Sequence, residues 1–405
     1  MNKFNYGNQA CRFFDGLYNK KSYDQFLRYD NLIRQFKKTF GGDYCYLASS
    51  SGRVELVGNH TDHNGGKVIG CAIDLDVVAA FRLNDSAVVR IASDNHSLIE
   101  YSVEGAPQLS GGFGVAEGVT TYLKNNGYKV GGFDAFTHST VLSGAGISSS
   151  AAFEMLIATI VNECFNDGAI PNEVLAKSGK HAEQIYLEKP CGLLDQGAVL
   201  TGGMTAFDFK DGFSCRKIDA DVSGISLVLV DTGKSHAGLS DLYASIPAEM
   251  FSVAELLNAK RLADVDENTF VLNADKIKSE LGLRPYLRAR HFFEENKRVE
   301  QAEQALLRRD TESLFRIVNA SGDSSRTQLQ NCATDENDTA INEAVDYARS
   351  LTECGARVHG GGFAGTILCV VPSNVAVSFT QAIADKYGAE RVLALSVRQV
   401  GAKVL

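Results

Sequence analysis

The stretch Leu142-Ser143-Gly144-Ala145-Gly146-Ile147-Ser148-Ser149-Ser150-Ala151-Ala152 decides how the rest of the chain is read. Gly144 and Gly146 let the backbone approach a ligand without interference from Cβ atoms, and three serines lead on into a helix-forming segment. Free N–H groups at a helix start attract phosphate, so this is a candidate anion cradle of the sort nucleotide-using enzymes build. It lacks the Gly-Lys-Ser/Thr of a Walker loop, and no Gly-x-Gly-x-x-Gly occurs here. A small-residue turn capping a buried helix would read the same, so the surrounding chain has to decide.

Working outward, a strand over 133–140 feeds the turn and a helix over 148–164 leaves it, with Ala152, Met155, Leu156, Thr159 and Ile160 on one side, as suits packing on a sheet. A second helix over 172–186 ends in Glu188-Lys189-Pro190-Cys191-Gly192-Leu193-Leu194-Asp195-Gln196. Pro190 and Gly192 stop regular structure, so a turn or a new helix start presents Asp195. Towards the start, residues 1–40 read as a helical packing arm carrying Phe26, Leu27, Leu32, Ile33 and Phe36. Strands follow at 46–48 and 54–57, the second running into the polar loop Gly58-Asn59-His60-Thr61-Asp62-His63-Asn64-Gly65-Gly66 before another strand at 68–81. A polar loop placed between strands is where small ligands are often held. Strands at 88–92 and 99–103 complete a largely antiparallel region, and 115–126 is helical.

At 405 residues the chain exceeds what one core comfortably serves, so two domains are expected. The polar, glycine-bearing stretch around 208–223 divides them, giving residues 1–215 and 216–405. The second half opens on an apolar strand at 225–230, then turns helical over 240–260, 269–280, 287–308, 311–320 and 337–352. Strands at 356–359 and 366–371 flank Gly360-Gly361-Gly362-Phe363-Ala364-Gly365, and a helix at 375–387 and a strand at 391–396 close an α+β domain. A formal net charge of −9 argues against nucleic acid or an anionic membrane as partner. Nine scattered cysteines without Cys-x-x-Cys spacing disfavour disulfides and zinc and fit a reducing cytoplasm. The opening residues lack the apolar core of a secretion signal, and no run reaches membrane-spanning length.

Three glycine-rich motifs in this order resemble a galactokinase-type member of the GHMP kinase superfamily, which also contains homoserine and mevalonate kinases. The first motif runs from Gly52-Arg53-Val54-Glu55-Leu56-Val57 through the polar loop to Gly66, the second over 144–152, and the third over 360–365. Between them lie Pro190-Cys191-Gly192 with Asp195-Gln196, His236 with Tyr243, and Arg288-Ala289-Arg290-His291. The resemblance covers about residues 40–371. It implies an α+β, two-domain GHMP kinase fold, with an N-terminal sheet-and-helix domain like ribosomal protein S5 and a C-terminal α+β domain. It also implies ATP and Mg2+, a small-molecule sugar as the other partner, and a chain acting as a monomer.

By the same resemblance, Gly144, Ala145, Gly146, Ser148, Ser149 and Ser150 hold the nucleotide phosphates, and Ser149 or Ser150 joins Glu183 at magnesium. Asp195 takes the proton of the sugar's anomeric hydroxyl. Arg53 lies beside it, keeps it ionised and stabilises the charge that develops on the phosphoryl group. A carboxylate beside an arginine is a weak base, but an anomeric hydroxyl is more acidic than other alcohols and its proton can leave late. Asn59, His60, Asp62, Gly192 and Tyr243 match the sugar-binding positions, and a carboxylate such as Asp62 can accept from two vicinal hydroxyls. Relatives usually carry Glu at the place of Asn59, accepting from the sugar's 6-hydroxyl, and Tyr at the place of His63. A neutral Asn59 with a partly protonated His63 would tolerate a C6 carboxylate, which makes galacturonate the alternative to galactose. Regulatory relatives bind ATP and sugar without turnover; the presence of Arg53, 148–152, Glu183 and Asp195 disfavours that reading. Phe113 is a candidate for the base pocket in a chain without Trp. The third motif, His236, Arg288 and His291 read as structural.

Overall fold

The computed structural model describes residues 14, 17–18, 22–94, 96–142, 144–188, 191–234, 238–363 and 365–405. Ser143, Pro190, His236 and Ala364, all singled out in the sequence, lie outside the described residues, as does most of 1–21.

Helix α1 (Ser22–Phe40) comes first, followed by β1 (Tyr46–Val57), β2 (Lys67–Leu83), β3 (Val88–Ser93) and β4 (His96–Ser102). Then come α2 (Gly111–Asn125), β5 (Phe133–Ser139), α3 (Ser149–Phe165), α4 (Asn172–Tyr186), α5 (Leu194–Thr201), β6 (Met204–Asp208) and β7 (Ser214–Lys217). These seven strands and a late eighth form one sheet along the path β4, β3, β5, β2, β1, with β6 beside the first part of β2 and β7 beyond it. Every pair is antiparallel except β3 with β5. β1 and β2 are buried along almost their whole length because both faces are covered. On one side α1 contributes Tyr29, Leu32 and Phe36 against Leu47, Val78 and Ala80. On the other, α2, α3, α4 and α5 pack on Leu56, Ile69 and Ile73.

Residues 46–48 and 54–57, expected as two strands, are the ends of one twelve-residue strand. The polar residues between them, Ser49, Ser50 and Ser51, are fully buried, small enough to sit between layers without interrupting pairing. Register nevertheless slips between Ser51 and Arg53, and again between Glu55 and Val57. Such irregularities re-aim side chains and collect beside functional sites; here the slip sets Arg53.

The second half holds β8 (Ile225–Asp231), α6 (Ser240–Leu256), α7 (Glu267–Leu272), α8 (Ala274–Glu280), α9 (Leu283–Arg308), α10 (Thr311–Ser324) and α11 (Ala340–Leu351). β9 (Gly355–Val358), β10 (Thr366–Pro372), α12 (Ala376–Tyr387) and β11 (Val392–Leu395) complete a four-stranded antiparallel sheet in the order β11, β8, β10, β9. A short strand the sequence reading did not foresee, β12 (Lys403–Val404), returns to the first sheet and pairs with β1 at Ala48 and Ser49. The expected mixture of helix and sheet is therefore present throughout.

A buried charged knot locks the arm and the returning chain to the first sheet. Asp76 on β2 is fully buried and meets Arg28 of α1 and Arg398 beyond β11, and the hydroxyls of Ser49, on β1, and Tyr18 donate to it. Burial alone would raise its pKa, but the two guanidiniums and the two hydroxyls outweigh it and hold the carboxyl below its usual range. Among the described residues no helix is long and apolar enough to cross a membrane, and the eight cysteines described are free.

Candidate active site

Gly144 and Gly146 take the left-handed backbone that turns the chain between β5 and α3. The turn docks on β1 through Ile147, whose carbonyl accepts from the Arg53 amide at 3.2 Å. A Cβ at Gly52 would approach that same oxygen to 2.9 Å, so residue 52 must be glycine for the turn to lie this close. Ser148, at the N-cap of α3, has φ 59°, a left-handed conformation that costs a non-glycine residue on the order of 1 kcal/mol. Its hydroxyl makes no cap bond and donates to Asp195 Oδ2 instead.

Asp195 stands in the first turn of α5. Its Oδ1 accepts from Arg53 Nε at 2.8 Å and Nη2 at 2.7 Å, while Arg53 Nη1 donates to the Gly146 carbonyl at 2.5 Å. Arg53 is buried and Asp195 is partly open, with 23% of its side chain exposed. The strand arginine, the glycine turn, the serine at the helix start and the carboxylate thus form one connected group. The first N–H groups of α3 have no acceptor within the helix and point out of its end beside that group.

A second polar group lies one turn deeper. Glu183, on α4, is fully buried and accepts from Ser150 Oγ at 2.6 Å; of the two serines proposed for a metal, Ser150 is the one bonded to it. Gln196 Nε2 spans Glu183 at 3.3 Å and Glu154 at 3.0 Å. Glu154 was not foreseen; its signal was an acidic residue one turn after Ser150 in an otherwise apolar helix that is buried nearly all round. A hydroxyl and a carboxylate side by side offer hard oxygen atoms, which suits Mg2+, an ion held by one or two carboxylates, waters and substrate phosphates. Among the described residues no group of three His, Cys, Asp or Glu is placed to hold a metal.

The polar loop after β1 is fastened to the third glycine motif. Asn59 Nδ2 donates to the Gly360 carbonyl at 2.8 Å, His60 Nε2 contacts the Gly361 carbonyl at 2.9 Å, and the Tyr243 hydroxyl donates to the Gly362 carbonyl at 3.0 Å. Three successive carbonyls therefore grip three of the expected sugar-binding residues, which is how the third motif supports this loop.

Two expectations at the sugar side need correction. The Asn59 amide also donates to Glu55 at 3.0 Å, and its oxygen accepts from Asn331 at 2.9 Å and Ser325 at 3.4 Å. Both donors and both acceptor positions of the amide are used inside the protein and the residue is buried, so nothing is left to read a sugar C6 group. Burial, aided by His60, Lys180 and His291, holds the pKa of His63 well below its usual value, which argues against the partly protonated ring expected there. Asp62 does sit at the site. Its carboxylate accepts from the His63 amide at 2.9 Å, and burial, with the charge of Asp195, pushes its pKa up. A Cβ at Gly192 would overlap that carboxylate, which is the physical reason for glycine there.

His291 bridges Ser324 and the Asn59 carbonyl, and Arg288 bonds the Leu329 carbonyl, Ser245 and Glu249; both are structural, as expected. Phe113 is half-exposed at the start of α2. His359, at the end of β9, was not singled out. It is buried against the turn, and its ring carbon Cδ2 lies 3.5 Å from where a Gly146 Cβ would stand.

Burial lowers the pKa of His291 to about 4, and burial with Arg53 and Arg357 lowers that of His359 to about 3. The unfolded chain then binds protons that the folded one refuses between the ordinary value of 6.5 and those lowered values. Stability is expected to be level above about pH 7 and to fall steadily as pH drops from 6.5 to 4. Urea midpoints across that range check this; a flat profile would sink it.

Residues 34–83 match the galactokinase galactose-binding signature, and residues 114–203 match the GHMP kinases N terminal domain. The chain is 30% identical over 372 residues to the galactokinase of Limosilactobacillus fermentum, covering 88% of this chain and 93% of that protein. It is 30% identical over 371 residues to the galactokinase of Enterococcus faecalis, with the same coverage. Among solved structures it is similar to Lactococcus lactis galactokinase complexed with galactose, with a TM-score of 0.82 at 23% identity over 93% of this chain and 99% of that one. The mevalonate kinase of Methanococcus jannaschii shares the fold at a TM-score of 0.61 and 15% identity, over 88% of this chain and 99% of that one.

Proposed function

This chain belongs to the galactokinase family of GHMP kinases and is a sugar kinase using ATP, and from that premise we propose that it phosphorylates the anomeric hydroxyl of galactose to give the α-sugar 1-phosphate. The observation that carries the reading is the connected group of Arg53, Gly146, Ser148 and Asp195. In the proposed step Asp195 accepts the proton of the anomeric hydroxyl. The freed oxygen pair bonds to the terminal phosphorus, and the bond from that phosphorus to the leaving ADP breaks. Arg53 keeps Asp195 ionised and faces the charge that spreads over the transferred oxygens. The Ser148 hydroxyl orients the second carboxylate oxygen. The turn's glycines and the N–H groups of Ser149 and Ser150 hold the phosphates. Ser150 and Glu183 would hold Mg2+, which neutralises charge on the nucleotide phosphates when bound.

On the sugar side we assign His60, Asp62, Gly192 and Tyr243. The inward commitment of Asn59 and the neutral His63 remove the grounds for preferring a C6 carboxylate, so galactose is the favoured substrate over galacturonate. We also divide the chain into residues 1–215 and 216–405; the two separate sheets support a two-part chain, while β7 of the first sheet runs across 215 and β12 returns to that sheet. We also propose that the chain acts as a monomer.

ADP release should be measured with galactose, N-acetylgalactosamine, galacturonate, L-arabinose and glucose, each with and without Mg2+. Fastest turnover on galactose, abolished without Mg2+, is expected. ATP binding without turnover on any sugar would instead make the chain a regulatory relative.

A further inference from the structure

Among the described residues, His359 is a buried polar side chain beside the site that no other side chain hydrogen-bonds. It is 3% exposed; neither Nδ1 nor Nε2 has a partner at full hydrogen-bond geometry, and the one polar group the ring leans on is the Gly146 backbone. An imidazole left in this state forfeits the hydrogen bonds that water would give it. The ring lies against Gly146, the residue whose carbonyl holds Arg53, and within electrostatic reach of Arg53 and Asp195. It follows β9 of the second sheet, whereas Arg53 stands on β1 and Gly146, Ser148 and Asp195 come from the turn and helices packed on the first sheet. Burial above all, helped by the neighbouring cations Arg53 and the fully buried Arg357, lowers the ring's pKa to about 3, so it keeps one N–H to donate.

Resting on the kinase reading above, we propose that His359 is a catalytic residue whose ring N–H donates to an oxygen of the phosphoryl group in transfer. A neutral donor suits this place. Arg53 already supplies the fixed charge, and a protonated imidazole would compete with Arg53 for Asp195. The N–H stabilises charge that grows on the phosphoryl oxygens as the bond to ADP breaks, without moving a proton, and the unsatisfied ring finds its partner when nucleotide binds.

The test uses the full-length protein. Histidine ring 15N spectra are recorded with a non-hydrolysable ATP analogue plus Mg2+, with galactose alone, and with both, and His359→Asn identifies the His359 signal. A shift of the His359 N–H on adding the analogue alone is expected. A shift only with galactose, or none in any state, overturns the proposal. In steady-state assays His359→Phe should lower kcat about 30- to 100-fold with both KM values within about threefold, and His359→Gln, which restores a neutral donor, should recover at least a third of the loss on a logarithmic scale. A kcat for His359→Phe within threefold of the parent also overturns it. Absence of turnover in the unaltered protein would instead strike at the kinase reading, and the nucleotide-dependent shift would still be read.

Discussion

Replacing Asp195 with asparagine is expected to lower kcat by roughly 10³- to 10⁴-fold, the scale on which a positioned proton acceptor acts in its transition state. The substitution is isosteric. Ser148 keeps an oxygen to donate to, while Arg53 loses the charge that takes two of its N–H groups at 2.7 and 2.8 Å. ATP and sugar should still bind within about threefold, because neither the α3 amides nor Asp62 and His60 change. Calorimetric titration of both ligands alongside the ADP-release rate separates the two effects. Should Asp195→Asn turn over within tenfold of the parent, the proton leaves by another route and the carboxylate is only a brace for Arg53.

The largest stability loss is expected from Asp76→Ala. Arg398 is fully buried and Arg28 nearly so, and both face this carboxylate. Removing one member of a buried pair leaves an uncompensated charge, at about 3–5 kcal/mol, and here two cations are left at once. Urea unfolding followed by circular dichroism should show the midpoint fall accordingly. The pH dependence has a definite sign. The folded carboxyl titrates below its usual value of 3.8, so its contribution is complete above that value and is lost as pH falls through the depressed one. The gap between parent and variant should therefore be level from pH 7 to 5 and narrow only at stronger acidity. A loss under 1 kcal/mol would mean that the two arginines find other acceptors.

How much of this was readable beforehand depended on how local the determinants were. The turn at 144–148 was legible because glycine spacing and a following helix start are properties of neighbours in sequence. Asp195 was legible as a residue just past a Pro and Gly stop, and it opens α5. β1 was divided in two because serines at 49–51 look like a break, and only burial from both faces reveals them as packing. The inward turn of Asn59 was hidden for a deeper reason: besides Glu55, its partners Asn331 and Gly360 lie 272 and 301 residues away, out of reach of any local pattern. His359 escaped notice because it stands just ahead of a glycine run that drew attention to itself. Its importance comes from the other sheet.

The return of β12 to pair with β1 bears on how the protein is made. The edge of the first sheet at Ala48 and Ser49 stays open until residues 403 and 404 have left the ribosome, and Asp76 waits as long for Arg398. Nascent chains therefore carry a partly finished first sheet until those residues emerge, exposed to pairing with strangers. A proline at residue 403 or 404 would loosen the pairing that closes that seam.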